Sequence, residues 1–107
     1  MMSFRNIDAE ALAQLQKTGE IRLIDVRTDA EVARGIIPGA LHIPLHLIPV
    51  KMNEMDGSVP TVIYCQSGGR SGQACGFLSG KGWSDLSNLQ GGIIAWVASG
   101  NALAQLG

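Results

Sequence analysis

The sequence has no marked excess of charge of either sign. It contains 8 basic and 9 acidic residues, for a formal net charge of −1. A domain that binds nucleic acid, or that attaches to anionic lipid through charge, normally carries a clustered basic surface. The balanced charge therefore argues against both classes, and we expect neither a nucleic-acid partner nor a membrane partner.

Long apolar runs and metal-ligand spacings are also missing. The most apolar late stretch, Gly92 to Ala98, is far shorter than the about 20 residues that span a bilayer. The first six residues lack the apolar segment of a secretory signal. Only two cysteines, Cys65 and Cys75, are present, which is typical of a reducing compartment, and we therefore expect the protein to be located in the cytoplasm. Neither His42 nor His46 has a cysteine near it in sequence, so we expect no metal ion and no cofactor.

Hydrophobic residues make up 46% of the 107 residues, which is enough for one core. We therefore expect a single domain over 1–107. Strand-like and helix-like patterns alternate along it, which predicts an α/β fold with a mainly parallel sheet. Pro49 predicts a broken or short helix within 45–55. The predicted strands are 21–26, 41–43, 61–64 and 86–89, and the predicted helices are 9–17, 28–34, 71–80 and 92–99.

The most informative stretch surrounds Cys65. The run Thr61–Tyr64 is β-branched and aromatic and predicts a buried strand, and an apolar-periodic helix begins at about Ser71. Gly68 and Gly69 allow the turn between them to close tightly, with backbone N–H groups pointing inward as an anion-binding nest. Together with the positive end of the helix, such a turn lowers the pKa of a cysteine below about 8.5. The turn therefore predicts either a thiolate or a sulfur that carries a negatively charged group.

A second group of polar residues is expected at the same edge of the sheet. Ligands bind at the carboxyl ends of parallel strands, and Asp25-Val26-Arg27 ends one strand as Cys65 ends another. We expect Asp25 and Arg27 to form an ion pair or hydrogen bonds that support the site. Glu31 fits the same supporting role, as a partner of Arg27 or Arg34.

Taken together, five segments make the chain resemble the rhodanese-like domain family in its short form. They occur in the family's order and cover nearly the whole chain. One position departs from the pattern, because relatives often carry histidine where this chain has Ile36. The five segments are Asp25-Val26-Arg27, Glu31, 37–44 (Ile-Pro-Gly-Ala-Leu-His-Ile-Pro), 64–71 (Tyr-Cys-Gln-Ser-Gly-Gly-Arg-Ser) and 91–96 (Gly-Gly-Ile-Ile-Ala-Trp).

The resemblance implies a five-stranded parallel sheet flanked by helices on both faces, and sulfurtransferase activity. It implies that Cys65 takes a sulfane sulfur from a small sulfur-donor anion such as thiosulfate, holds it as a persulfide, and passes it to cyanide, a small thiol or a protein thiol. Arg70 is expected to attract the donor and bind its oxygens. The expected substrate-binding residues are Gln66, Ser67, Gly68, Gly69, Arg70 and Ser71.

Two other functions remain open at this point. Phosphatases of related fold also use a cysteine and an arginine around an anion-binding loop, but with five residues between them, where this chain has four. A non-catalytic binding or regulatory module is the second alternative, although inactive relatives usually lose the cysteine.

Among the remaining residues we expect Cys75, Phe77 and Trp96 in the core, and Trp83 on a partly exposed partner surface.

Overall fold

The computed structural model describes residues 3–106, so Met1, Met2 and Gly107 of the expected domain lie outside it. Two 3₁₀ turns, Leu45–Leu47 and Met52–Glu54, flank the third helix. In chain order the elements are β1 (Arg5–Ile7), α1 (Ala9–Thr18), β2 (Arg22–Asp25), α2 (Asp29–Val32), β3 (Leu41–His42), α3 (Ile48–Lys51), β4 (Thr61–Tyr64), α4 (Gly69–Gly80), β5 (Leu86–Leu89) and α5 (Gly92–Ala98).

The five strands form one parallel sheet in the order β1-β5-β4-β2-β3. Alternate residues of the central strand β4 enter two different cores. Val62 and Tyr64 face the core that contains residues of α1 and α5, whereas Ile63 faces the core that contains residues of α3 and α4. Helices therefore cover both faces, as predicted, and all four residues of β4 are buried.

Local sequence signals explain most of the helix boundaries. The Asp8 carboxylate accepts a hydrogen bond from the Ala11 amide at 2.8 Å and begins α1, and Gly19 ends it with a φ of 70°. Thr28 and Glu31 form a reciprocal capping box at the start of α2. Helix α4 begins two residues before the predicted Ser71, and the predicted interruption at Pro49 is confirmed by the short α3 and its flanking 3₁₀ turns.

Two predictions about surface and core are wrong. Phe77 is 38% exposed, and Lys81 lies over its ring. Trp83 is only 8% exposed, because Gly57 lies against the indole and the Arg22 guanidinium lies 4.6 Å from the ring centroid. In α5, Ile93 and Trp96 face the core but Ile94 does not.

One strand had no counterpart in the sequence patterns. Strand β1 is three residues long, lies at the sheet edge and pairs only with β5. Its residues Arg5, Asn6 and Ile7 show neither an apolar run nor a clear alternation, so periodicity gives no signal for it.

Within residues 3–106, no helix has the length and apolar character needed to cross a bilayer.

The start of α5 lies directly against the backbone that follows β4. The Ile93 amide donates to the Cys65 carbonyl at 3.0 Å, and the Ile94 amide donates to the Gln66 carbonyl at 3.3 Å. Gly92 makes this approach possible. A Cβ at its position would lie 2.3 Å from the Gln66 carbonyl oxygen, and its φ is +60°.

We predict that Gly92→Ala lowers the free energy of unfolding by about 3 kcal/mol or more, because it combines a backbone clash with a strained φ. Gly19→Ala is the matched control, since Gly19 has a similar φ of +70° but open space around it. The control should lose only about 1–2 kcal/mol. Urea unfolding measures both values, and equal losses would contradict the close approach.

Candidate active site

Three hydrogen-bond donors surround the sulfur of Cys65 directly after β4. The Gly68 amide donates to Sγ at 3.1 Å, the Ser71 amide at 3.4 Å and the Ser71 hydroxyl at 3.3 Å. Cys65 is 1% exposed and lies at the base of the loop. The predicted inward-facing amides are therefore present, and the helix that supplies two of the three donors, α4, begins beside the sulfur.

These donors make Cys65 acidic for a thiol. Burial opposes its ionisation, but hydrogen bonds from the Ser71 hydroxyl and from the Ser71, Gly68 and Ser67 amides outweigh that effect and lower the pKa of Cys65. Cys75 provides the contrast within the same chain. It is fully buried without such donors, and burial raises its pKa to about 12. Both cysteines are free, and Cys75 is the apolar filler that the sequence predicted.

Asn88 holds the cysteine loop in place and was not predicted from the sequence. Its Oδ1 accepts a hydrogen bond from the Ser71 hydroxyl at 2.5 Å, and its Nδ2 donates to the Gly68 carbonyl at 3.2 Å. The same Nδ2 donates to Asn6 Oδ1 in β1 at 3.1 Å. The only available signal was an amide side chain in a strand that is buried along its whole length.

The Ser71 hydroxyl has one proton and two neighbouring acceptors, Asn88 Oδ1 and the Cys65 sulfur. A charged acceptor forms the stronger hydrogen bond, so ionisation of Cys65 draws this proton toward the sulfur. The hydroxyl therefore stabilises the thiolate selectively over the thiol.

Asp25 and Arg27 form the buried ion pair that the sequence predicted at this edge. Arg27 Nη2 donates to Asp25 Oδ2 at 2.8 Å and Arg27 Nε donates to Oδ1 at 3.1 Å, and the two residues are 5% and 0% exposed. Arg27 also donates to the Gly35 carbonyl at 2.7 Å, and its own carbonyl oxygen lies 2.7 Å from His42 Nε2. The pair ties β2 to β3 and to the segment after α2.

The expected partner of Glu31 is corrected by the structure. Its carboxylate binds neither the guanidinium of Arg27 nor that of Arg34, but accepts two parallel hydrogen bonds from Arg70, at 2.7 and 2.8 Å. The bonds from Arg70 are the largest cause that lowers the pKa of Glu31 to about 2, and the amide and hydroxyl of Thr28 act in the same direction. The short helix α2 thus presents Glu31 to the cysteine loop.

The remaining predicted loop residues form the rim. Gln66, Ser67 and Gly69 are exposed, and Gly68 is half-buried with a φ of 112° that positions its amide toward the sulfur. Ile36 is buried, and its backbone pairs with Ala104 through two hydrogen bonds of 2.8 Å, so it has a packing role.

Two open cavities of about 360 and 560 Å³ lie beside this loop. Gln66 and Glu31 border the smaller cavity, Arg70 and His46 border the larger one, and Arg27 borders both. Within residues 3–106, Ser71 is the only residue whose side chain forms a hydrogen bond with the sulfur. The hydrogen bonds around the sulfur therefore favour the thiolate form of Cys65.

Comparison with known proteins places this geometry in a family. The model of the rhodanese-like domain matches residues 8–99. A sulfurtransferase of Allochromatium vinosum is 50% identical over 95 residues, which are 88% of this chain and 89% of that protein. The thiosulfate sulfurtransferase GlpE of Pseudomonas putida KT2440 is 31% identical over 99 residues, covering 92% of this chain and 90% of that protein.

Solved structures agree with the fold. The crystal structure of a rhodanese-related protein from Thermoplasma volcanium superposes with a TM-score of 0.87 at 27% identity, over 95% of this chain and 99% of that one. A Rhodopseudomonas palustris protein described as a possible tyrosine phosphatase gives 0.84 at 22% identity, over 94% and 85%, and supports the fold alone. With a parallel five-stranded sheet, a cysteine loop after its central strand and a family model that matches most of its length, the chain belongs to the rhodanese-like domain family.

Proposed function

We propose that this protein is a sulfurtransferase that carries a sulfane sulfur on Cys65 as a persulfide. The observation that supports this most strongly is the Cys65 sulfur with three hydrogen-bond donors directed at it. The names of the relatives, sulfurtransferase and thiosulfate sulfurtransferase, support the same activity. The substrates proposed are thiosulfate or another sulfane-sulfur anion as donor, and cyanide, a small thiol or a protein thiol as acceptor.

In the first half-reaction, the Cys65 thiolate attacks the outer sulfur of the donor. For thiosulfate, a new S–S bond forms to Cys65, the sulfur–sulfur bond of thiosulfate breaks, and sulfite leaves with the electron pair. The terminal sulfur of the persulfide is then anionic. The loop amides that hold the thiolate are suited to stabilising this second sulfur anion as well.

In the second half-reaction, the acceptor attacks the terminal sulfur. The S–S bond to Cys65 breaks, and the cysteine returns as a thiolate, so cyanide gives thiocyanate and a thiol gives a new persulfide. Two separate half-reactions predict ping-pong kinetics. We place the reaction in the cytoplasm, because Cys65 must return as a free thiolate in each cycle and a reducing compartment maintains that state.

A phosphatase is the second candidate, because phosphatases of related fold also use a cysteine and an arginine around an anion-binding loop. Two observations weigh against it. The loop has four residues between Cys65 and Arg70, one fewer than the five of these phosphatases. Arg70 is bound by Glu31 rather than free for a phosphate. Turnover of p-nitrophenyl phosphate, assayed beside turnover of thiosulfate and cyanide, separates the two functions.

We predict that Cys65→Ser abolishes sulfur transfer while leaving the fold intact, because a hydroxyl is not ionised by this loop at neutral pH. After incubation with thiosulfate, intact-mass spectrometry should show one added sulfur atom on the wild-type protein and none on the variant. Cys75→Ala is the control, since Cys75 is buried and has a raised pKa. It should keep both turnover and the added sulfur. Turnover by the Cys65→Ser protein would refute the mechanism.

The pH dependence of Cys65 gives a further prediction. Hydrogen bonds to the thiolate lower its pKa, so their removal shifts ionisation to higher pH. Ser71→Ala should move the midpoint of the iodoacetamide alkylation rate upward by about one pH unit, the effect of one hydrogen bond to a charged group. Activity should fall most below the new midpoint and recover at higher pH.

Ser67→Ala is the matched control for this experiment. Ser67 acts on the sulfur through its backbone amide, and its exposed side chain can be removed without loss of that donor. The alkylation midpoint of Ser67→Ala should equal that of the wild-type protein. Equal midpoints in all three proteins would show that the Ser71 hydroxyl does not stabilise the thiolate.

A further inference from the structure

Two arginines lie at the mouth of this site, by which we mean the two cavities beside the cysteine loop, and both are already paired with carboxylates. Asp25 binds Arg27 through both of its oxygens, and Glu31 binds Arg70 through both of its oxygens. A bidentate pair satisfies the geometry of the guanidinium and cancels its charge at a distance. Neither arginine therefore offers a full positive charge to an incoming anion.

The pair of Glu31 and Arg70 lies beside the cavities next to the cysteine loop. Glu31 borders the smaller cavity and Arg70 borders the larger one. Their side chains are 20% and 35% exposed. The pKa of Arg70 is raised mainly by its hydrogen bonds with Glu31, and the charges of Cys65 and Asp25 raise it further. Arg70 is thus within electrostatic range of the sulfur.

One cation remains beside the loop. Arg34 borders the smaller cavity together with Gln66, and no carboxylate within residues 3–106 forms an ion pair with it. The paired residues contribute no net charge, and the positive charge of Arg34 is opposed by Asp29, which borders the larger cavity, and by the Cys65 thiolate itself. The two cavities therefore offer no surplus of positive charge, and a doubly charged anion is disfavoured there more strongly than a singly charged one.

We propose that Glu31 determines the donor class: by neutralising Arg70, it selects against doubly charged thiosulfate and favours a singly charged organic persulfide. This proposal rests on the proposed sulfurtransferase function and concerns the donor of the first half-reaction. Glu31 acts here through Arg70 and the charge of the mouth, and it does not touch the reacting sulfur.

The chemistry with an organic persulfide balances without any other reactant. The Cys65 thiolate attacks the outer sulfur of the donor R–S–S⁻, forms the new S–S bond and breaks the old one. The leaving thiolate R–S⁻ departs with the electron pair and takes a proton from water. The persulfide formed on Cys65 is the same one that thiosulfate would give.

Glu31→Gln tests the negative charge of this side chain separately from its hydrogen bonds. Glutamine at this position can still accept hydrogen bonds from Thr28 in the capping box and from Arg70, but it removes the negative charge. Asp29→Asn is the matched control. It makes the same change of charge in the same helix and at the border of the larger cavity, but on a side chain that is 95% exposed and has no hydrogen bond to Arg70.

The KM for each donor is measured with cyanide as the common acceptor, at low and high salt. In Glu31→Gln the KM for thiosulfate should fall about fivefold at unchanged kcat, the effect of one unit charge on a dianion roughly 8 Å away. For cysteine persulfide, which has one net negative charge at about pH 8, the fall should be about twofold. High salt should reduce both effects, and Asp29→Asn should change each KM less than Glu31→Gln does, because solvent screens the charge of an exposed side chain.

Arg70→Ala completes a double-mutant cycle. It leaves the Glu31 carboxylate unpaired at the mouth, so the KM for thiosulfate should rise by about the same factor. The double variant Glu31→Gln with Arg70→Ala carries the original net charge, and its KM should return close to that of the wild-type protein. A double variant as impaired as Arg70→Ala alone would overturn the proposal, because it would show a structural role for Arg70.

The remaining outcomes also decide the question. A loss of kcat in Glu31→Gln with unchanged KM values would show that the pair only stabilises the loop, and equal effects on both donors would exclude selection by charge. Neither result would contradict the proposed sulfurtransferase function. If the wild-type protein formed no persulfide with either donor, the proposed function itself would fail.

Discussion

The hydrogen bonds that converge on the Cys65 sulfur are the interaction on which the rest of the site depends. They require the Gly68 and Ser71 amides to point at one atom, within 3.4 Å. Two neighbouring elements hold the backbone in that conformation. The start of α5 binds the carbonyls of Cys65 and Gln66 from one side, and Asn88 in β5 binds the carbonyl of Gly68 from another. The sheet thus fixes a loop that would otherwise have many conformations.

Much of the architecture followed from local signals in the sequence. The β-branched run before Cys65, the caps at Asp8 and Thr28, and the interruption at Pro49 each correspond to an element boundary in the structure. The buried Asp25–Arg27 pair followed from the rule that polar residues at the carboxyl ends of parallel strands converge. These predictions succeed because each depends on residues that are near one another in the chain.

The features that could not be predicted depend on contacts between distant residues. Glu31 and Arg70 are 39 positions apart, so spacing alone could not identify the pair. Phe77 lies on a helix whose pattern suggested an inward position, yet only Ala74, Cys75 and Leu78 face the core there. Trp83 is buried because Gly57, 26 positions away along the chain, leaves room for its ring. Tertiary packing decides such positions, and local propensity does not.

The contact between Asn88 and Asn6 links the cysteine loop to the first strand of the chain, at the far edge of the sheet. The Asn88 side-chain amide thus connects β1 to Gly68, in addition to the backbone pairing of β1 with β5. Because the Gly68 amide donates to the sulfur, a change in the position of β1 can alter the hydrogen bonding of Cys65. Any polypeptide joined upstream of this strand would act on the same linkage.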